Sequence, residues 1–301
     1  MSTHPRELLC NSSAEFRKHN GKAVVSKRRD FIKQILATIL FLTLVFFVTS
    51  ANDPDFLQLV NKHHPLSSSY IPPNLCNYDS IQLNTAARDA FTEMLVQMKE
   101  DGIHDLKLQS AYRSYSYQNS VFARRTKEIM AKGHSKHEAE AMAAKSVQPP
   151  GASEHQLGLA LDVSTDGTLT QNFGQTRAGI WLAENCHNYG FIIRYPFAKT
   201  DITQIVYEPW HLRYVGIPHS IIMKELSLTL EEYHSYIRNI YAYVYWMPDG
   251  EYYLISYVNE NIITERKIQL VENFDQLKTF IPYKGSIFFT FSSLHISNFC
   301  I

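Results

Sequence analysis

Apolar residues recur along the chain in two patterns, one typical of helices and one typical of strands. Between residues 84 and 100 they lie three or four positions apart, which predicts an amphipathic helix that ends at Asp101 and Gly102. Similar patterns predict further helices over 114–132, 136–145, 176–187 and 218–237. Short apolar runs predict buried strands over 106–111, 159–163, 191–194 and 205–214. The central part of the chain is therefore predicted to mix helices with short strands.

The segments on either side of this region have a different character. Residues 51–80 contain four prolines and many small polar residues, which predicts an extended lead-in linker. After residue 240, two runs rich in aromatic and β-branched residues, 241–246 and 251–258, flank a Met-Pro-Asp-Gly turn, and this arrangement predicts a β-hairpin. We therefore expect a main domain over 81–239 and a small β-rich module over 240–301, for which the sequence indicates no role.

The first fifty residues predict a membrane segment. An uncharged apolar run over 35–48 extends to 31–50 if the Lys33 side chain reaches back towards the interface. Twenty helical residues at ~1.5 Å each match the ~30 Å hydrocarbon core of a bilayer. Because Lys27, Arg28 and Arg29 precede this run, the positive-inside rule predicts that residues 1–29 stay in the cytoplasm and that everything after residue 50 is exported.

Residues 30–50 have three possible interpretations. The small residues Thr49, Ser50 and Ala51 fit a cleaved signal peptide, which would release a secreted protein. The long segment in front of the run favours an uncleaved transmembrane anchor, which is the interpretation that we prefer. A buried core helix is disfavoured, because the run is apolar all round and follows a basic cluster.

Composition and charge exclude other classes of protein. The chain has 45% apolar and 19% charged residues, which is typical of a globular protein and excludes disorder of the whole chain. Eight basic and three acidic residues lie before position 34, so the totals of 29 each leave 21 basic and 26 acidic residues in the remainder. Acidic residues outnumber basic residues in this remainder, whereas a protein that binds a nucleic-acid duplex has a basic stripe on its folded part. We therefore expect no nucleic-acid partner.

The cysteines argue against a cysteine-ligated zinc site. They are far apart and include no C-x-x-C pair: Cys10, Cys76, Cys186 and Cys300. Of the three that follow the membrane segment at most one pair can be bridged. Free buried thiols are the preferred interpretation.

Three stretches are rich in groups that carry chemistry: 110–114, 153–162 and 207–213. A hydrolytic zinc site needs about three imidazole or carboxylate ligands, an open position for water, and a carboxylate that accepts the proton of that water. Each residue taken alone has an ordinary structural explanation as a core histidine, a helix cap or an ion-pair partner. The spacing by itself is therefore only suggestive.

The spacing nevertheless places four such groups within reach of one point. His155 lies seven residues before Asp162, and Gly158 between them permits a tight turn. Asp162 stands in an apolar run, where an ionised carboxylate is costly unless a cation compensates it. His211 can supply a third ligand from a neighbouring strand, and Glu208, three residues earlier, can reach the water.

Two longer motifs around these residues resemble those of a known protein family. The S-x-H-x-x-G-x-A-x-D run over 153–162 and the E-P-W-H-x-R-Y-V-G run over 208–216 resemble the signature blocks of the VanY-type D-alanyl-D-alanine carboxypeptidases, of the zinc DD-peptidase and Hedgehog-like fold group. The resemblance extends over about 56–238. One departure is Gln204, where the family often has glycine. The resemblance implies an α+β fold, with a small antiparallel sheet and flanking helices that hold one zinc ion per chain.

Carried over by position, the resemblance also implies residue roles. The zinc ligands fall on His155, Asp162 and His211, and the general base falls on Glu208. Arg113 matches the arginine that holds the substrate carboxylate or the developing oxyanion. The substrate side of the site would also include Ser153 and Gln118.

The implied activity is removal of the C-terminal D-alanine from peptidoglycan stem peptides, on the outer side of a bacterial cell membrane. Two alternatives stay open at this point. An L,D-carboxypeptidase acting on tetrapeptide stems would use the same metal blocks. A non-catalytic protein that binds or senses the cell wall would use residues 240–301 as its working part.

Overall fold

The computed structural model describes residues 55–240, 242–247, 250, 252–259, 262–268 and 286–289. In this part of the chain, no helix has the length and apolarity needed to cross a bilayer. The cytoplasmic tail predicted at 1–29 and the membrane segment predicted at 30–50 lie outside the described residues and stay predictions, as do the domain boundaries.

The described residues form an α+β fold, as the resemblance implied. The strands are β1 Leu75–Tyr78, β2 Ile81–Asn84, β3 Lys107–Ser110, β4 Ala160–Ser164, β5 Phe191–Tyr195, β6 Glu208–Tyr214, β7 Ala242–Trp246, β8 Tyr252–Asn259, β9 Ile262–Ile268 and β10 Ser286–Phe289. The helices are α1 Thr85–Glu100, α2 Tyr115–Met130, α3 Lys136–Ala143, α4 Arg177–Asn185, α5 Thr200–Thr203, α6 His219–Glu225 and α7 Leu230–Ile240.

The central sheet has four antiparallel strands in the order β3-β4-β6-β5. Its two inner strands, β4 and β6, are almost entirely buried, which explains why their sequences read as apolar runs that carry a few charged residues. The strand predicted over 205–214 begins later, at Glu208. The central sheet therefore consists of the four short strands that the apolar runs predicted, with shifted ends.

In helix α1, the regularly spaced apolar residues are the ones that pack in the core. Its residues at three- and four-residue intervals, Ala87, Phe91, Met94 and Met98, are all fully buried in one cluster with β4 and β6. The helix begins where Asn84 accepts a hydrogen bond from the Ala86 amide at 2.9 Å, a side-chain cap for an otherwise unpaired amide. The helix predicted over 84–100 is thus confirmed.

The single helix predicted over 218–237 is wrong, because the structure has two helices there, α6 and α7. Ser227 adopts a left-handed conformation with φ of 54°, which ends α6. Thr229 and Glu232 then form reciprocal hydrogen bonds between side chain and backbone that start α7. The spacing of apolar residues does not reveal this break, although the Thr-x-x-Glu sequence at 229–232 is typical of a helix start.

The C-terminal strands pair in the order β10-β7-β8-β9, all antiparallel. The predicted hairpin is confirmed, since β7 pairs with β8 across the Gly250 turn. Three residues of these strands and their turn, Tyr245, Met247 and Ile255, are buried in a second apolar cluster that also contains Tyr233 and Ile237 of α7. The described part of the β7–β8 hairpin therefore packs against helix α7.

Candidate metal centre

Three candidate ligands converge beside the two inner strands of the central sheet. His155 lies in a 3-10 turn over Glu154–Leu157, Asp162 in β4 and His211 in β6. Asp162 and His211 stand directly opposite each other in the β4–β6 ladder. All three side chains are buried, and one ligand atom from each lies within 4.8 Å of the others. The structure therefore brings together the three residues that the sequence predicted as zinc ligands.

The turn at Gly158 is what returns the chain from His155 to Asp162. Gly158 has φ of +71°, in the left-handed region that L residues rarely adopt. A Cβ at this position would lie 2.9 Å from Leu75 Cδ2 and 3.3 Å from the Asn84 backbone nitrogen. Conformation and space thus both require glycine, and the tight turn that the sequence predicted at this residue is present.

The donor set fits a zinc ion. His155 Nδ1 donates to the Ala111 carbonyl oxygen, which leaves Nε2 directed at Asp162 Oδ2 at 3.2 Å. His211 Nδ1 lies 3.1 Å from Asp162 Oδ1. His155 Nε2 and Asp162 Oδ1 are buried and have no hydrogen-bond partner among the described residues. An unpaired buried imidazole nitrogen and an unpaired buried carboxylate oxygen, with a second imidazole beside them, are the arrangement that a three-ligand zinc site presents.

The electrostatics put His155 and Asp162 in the protonation states that metal binding needs. Burial lowers the pKa of His155 from 6.5 to about 4, and the nearby charge of Arg113 adds to this effect, so the imidazole is neutral at pH 7. Burial by itself would raise the pKa of Asp162, but His155, His211 and Arg113 hold it well below its ordinary value. A neutral imidazole and an ionised carboxylate can both coordinate a metal without first losing a proton.

A bulge in β6 places Glu208 in the same cleft as His211. Residues three apart in a regular strand point to opposite faces of the sheet. Here Ile193 pairs with Leu212 but Tyr195 pairs with Glu208, so four residue steps on β6 span two on β5. Pro209, which lacks a backbone donor, lies within this irregular segment, where proline is tolerated. Glu208 Oε2 consequently lies 3.7 Å from His211 Nδ1.

The environment of Glu208 favours proton transfer. Its burial raises the pKa well above the ordinary value for glutamate, and the charge of Asp162 raises it further, while Arg113 acts in the opposite direction. A carboxylate with a raised pKa accepts and returns a proton more readily near neutral pH.

The seven predicted site residues line a single cleft of about 520 Å³: Arg113, Gln118, Ser153, His155, Asp162, Glu208 and His211. Arg113 Nη2 donates to Asp162 Oδ2 at 2.8 Å, and its Nη1 donates to Gln118 Oε1 at 3.1 Å. The Gln118 amide in turn donates to the Gln148 carbonyl at 2.6 Å. Both polar atoms of Gln118 therefore have protein partners, and the residue holds Arg113 at the wall of the cleft.

Sequence reasoning missed the buried charges beneath the site. Glu154, Arg194 and Arg213 have at most 1% of their side chains exposed. Burial alone would raise the pKa of Glu154, but the two guanidinium groups lower it and keep the carboxylate ionised. The available signal was the pair of arginines inside the apolar strands β5 and β6, since a buried arginine requires an acidic or carbonyl partner.

Comparison with known proteins places this fold and site in a family. A family profile described as VanY, D-alanyl-D-alanine carboxypeptidase, matches residues 80–217. YodJ of Bacillus subtilis (strain 168) is 40% identical over 205 residues, which cover 64% of this chain and 71% of that protein. The chain belongs to the VanY family of D-alanyl-D-alanine carboxypeptidases.

Two solved structures are similar to this chain. One is a mutant of the vancomycin resistance D,D-pentapeptidase VanY from a VanB-type resistance cassette, in complex with Zn(II). It is 34% identical with a TM-score of 0.54 and covers 60% of this chain and 99% of its own. Another is the LD-carboxypeptidase LdcB, 38% identical with a TM-score of 0.53, which covers 60% of this chain and 86% of its own.

Proposed function

We propose that this chain is a zinc-dependent D,D-carboxypeptidase that removes the C-terminal D-alanine from peptidoglycan stem peptides. The observation that carries the proposal is the convergence of His155, Asp162 and His211 in one cleft with the buried carboxylate of Glu208. Membership of the VanY family supports the choice of substrate. A protein that only binds the cell wall would not need a proton acceptor beside a metal-ligand set.

His155, Asp162 and His211 would hold the zinc ion. Zinc bound there would polarise the scissile carbonyl and lower the pKa of water toward ~7. The burial of all three ligands keeps bulk water away from them, and electrostatic interactions are stronger in such a site than in solvent.

Glu208 would act as general base and then as general acid. It takes a proton from the attacking water and hands this proton to the amine of the leaving D-alanine. The bulge in β6 sets the distance between Glu208 and His211, so the carboxylate stands beside the ligand set without belonging to it. Its raised pKa suits both halves of this proton transfer.

Arg113 would recognise the substrate. Its planar guanidinium can donate two parallel hydrogen bonds to a carboxylate or to the oxyanion that develops from the carbonyl. An exopeptidase needs such an anchor for the free C-terminus, and the Nε of Arg113 has no hydrogen-bond partner among the residues described. Ser153 lines the same cleft and would contact the peptide beside it.

The test is D-alanine release from a pentapeptide stem by the full-length chain, with and without a chelator. Glu208→Gln should keep the fold and bound zinc and lower kcat by about 10²–10⁴-fold, the usual contribution of a positioned acid–base group. Glu93→Gln removes an exposed carboxylate on α1 and is the matched control. Full turnover in Glu208→Gln, or in the chelated wild type, would refute the mechanism.

An L,D-carboxypeptidase is the second candidate, and the similarity to LdcB is the observation that favours it. The same metal centre would then remove the terminal residue of a tetrapeptide stem. Turnover of tetrapeptide and pentapeptide stems under identical conditions separates the two activities, and we expect the pentapeptide to be the better substrate.

We further propose that residues 30–50 anchor the enzyme in the cytoplasmic membrane with the catalytic residues outside. The support is the apolar run behind Lys27, Arg28 and Arg29. Fractionation of cells that express the full chain, followed by protease treatment of intact protoplasts, tests this orientation. A cleaved signal peptide would instead give a shortened, secreted protein.

A further inference from the structure

The two candidate histidine ligands differ in what holds their second ring nitrogen. In His155 that nitrogen, Nδ1, donates to the Ala111 carbonyl oxygen. In His211, Nδ1 faces Asp162 at 3.1 Å, and the second nitrogen, Nε2, lies 3.9 Å from Oε2 of Glu154. Both of these last atoms are buried, and neither has a hydrogen-bond partner in the described residues. Two unpaired buried atoms, one able to donate and one able to accept, therefore face each other.

The rest of the Glu154 carboxylate is fixed by other contacts. Its Oε1 accepts a hydrogen bond from Arg194 Nε at 2.7 Å and lies 2.9 Å from Arg213 Nη1. Arg213 is held in turn by the carbonyl oxygens of Phe56 and Gln58, at 2.9 and 3.0 Å. With Oε1 committed to the arginines, Oε2 is the oxygen that remains for His211.

We propose that Glu154 is a positioning residue for the metal centre: the negative charge of its Oε2, 3.9 Å from His211 Nε2, favours the tautomer that has its proton on Nε2 and so presents Nδ1 to the ion. This inference rests on the proposed zinc-dependent function. An imidazole that carries its proton on Nε2 has its lone pair on Nδ1, and Nδ1 is the nitrogen that faces Asp162. A carboxylate behind a metal-bound histidine fixes the ring and its tautomer and increases its strength as a ligand.

A purely structural role would make a different prediction. Glu154 could serve only to neutralise Arg194 and Arg213, in which case its loss would affect stability and leave metal affinity unchanged. Arg194 has a second acidic partner, Glu231, which binds Nη1 and Nη2 at 2.9 and 2.6 Å. No contact with His211 is found for Glu231 among the described residues, so it provides a control for the loss of an acidic partner of Arg194.

The experiment compares Glu154→Gln with Glu231→Gln in the full-length protein. The glutamine amide would direct an N–H at His211 Nε2 and favour the tautomer that has its proton on Nδ1. We expect zinc affinity, measured by competition with a chromophoric chelator, to fall about 10- to 100-fold in Glu154→Gln and to stay within about twofold of wild type in Glu231→Gln. The visible spectrum of the Co²⁺-substituted protein should change in the first variant only.

A second measurement does not depend on the variant folding. In ¹⁵N-histidine-labelled wild-type protein with zinc bound, the His211 signal should show a proton on Nε2. A proton on Nδ1, or equal zinc affinity in Glu154→Gln and wild type, would overturn the positioning role and leave the proposed function intact. Failure of the wild type to bind zinc would instead overturn both.

Discussion

Substitution of Gly158 by alanine tests whether the turn between His155 and Asp162 is as constrained as its geometry indicates. A residue with a Cβ in the left-handed region costs roughly 1–2 kcal/mol. The added Cβ would also lie 3.3 Å from the Asn84 nitrogen, which is held in place because it donates to the Gly158 carbonyl at 2.9 Å. Leu75 Cδ2, at 2.9 Å, is the end of a side chain and can move. Overpacking of this kind adds about 1–3 kcal/mol.

The control is Gly167→Ala. Gly167 also has positive φ, +84°, but nothing lies within 4 Å of its Cβ position, so the substitution carries the conformational cost alone. Urea unfolding of both zinc-free variants should therefore show Gly158→Ala to be less stable than Gly167→Ala by about 1–3 kcal/mol. In a domain of this size that difference corresponds to a melting temperature lower by about 2–4 °C per kcal/mol. Equal losses of stability would refute the claim that space, as well as conformation, requires glycine.

Three further outcomes are expected. Because the pKa of His155 is about 4 when folded and 6.5 when unfolded, its contribution to the stability of the zinc-free protein is complete above pH 6.5 and is lost as the pH falls through 4, by roughly 3 kcal/mol. Urea unfolding at stepped pH measures this loss, and the same slope in His155→Gln would contradict it. Leu161→Ala should lower the free energy of unfolding by about 2–5 kcal/mol, since Leu161 is fully buried, whereas Ile71→Ala at an exposed position should change it by less than about 0.5 kcal/mol. Arg113→Lys keeps the positive charge but loses the two-pronged donor, so kcat/KM for the pentapeptide should fall about 10- to 150-fold; a change below threefold would argue against substrate contact.

Much of the fold was predictable because local patterns and tertiary packing agree. The helix over 84–100 has an asparagine cap, helical apolar spacing and a terminating Asp-Gly, and the structure has a helix at Thr85–Glu100. Where the local cue is short, prediction fails. The break at Ser227 depends on one residue in a left-handed conformation inside an otherwise periodic stretch, so the period predicted one helix where there are two.

The candidate site was predictable to the level of its residues but not of their contacts. The motifs named the three candidate ligands and Glu208, and the structure places them in one cleft. The role of Gln118 as a partner of Arg113, and the buried carboxylate of Glu154 behind His211, depend on side-chain directions that spacing along the chain does not encode. Long-range pairing of buried charges, such as Arg194 with Glu154, is likewise set by the tertiary fold.

The bulge in β6 has a consequence for changes in chain length. Glu208 and His211 share the cleft because β6 has two more residues than β5 over the stretch that pairs with Ile193 to Tyr195. Insertion or deletion of one residue between them would turn one of the two side chains to the opposite face of the sheet. The exposed loop around Gly167, by contrast, can change in length without moving either strand. The two residues between Glu208 and His211 thus behave as a spacer of fixed length, in which substitutions are better tolerated than insertions or deletions.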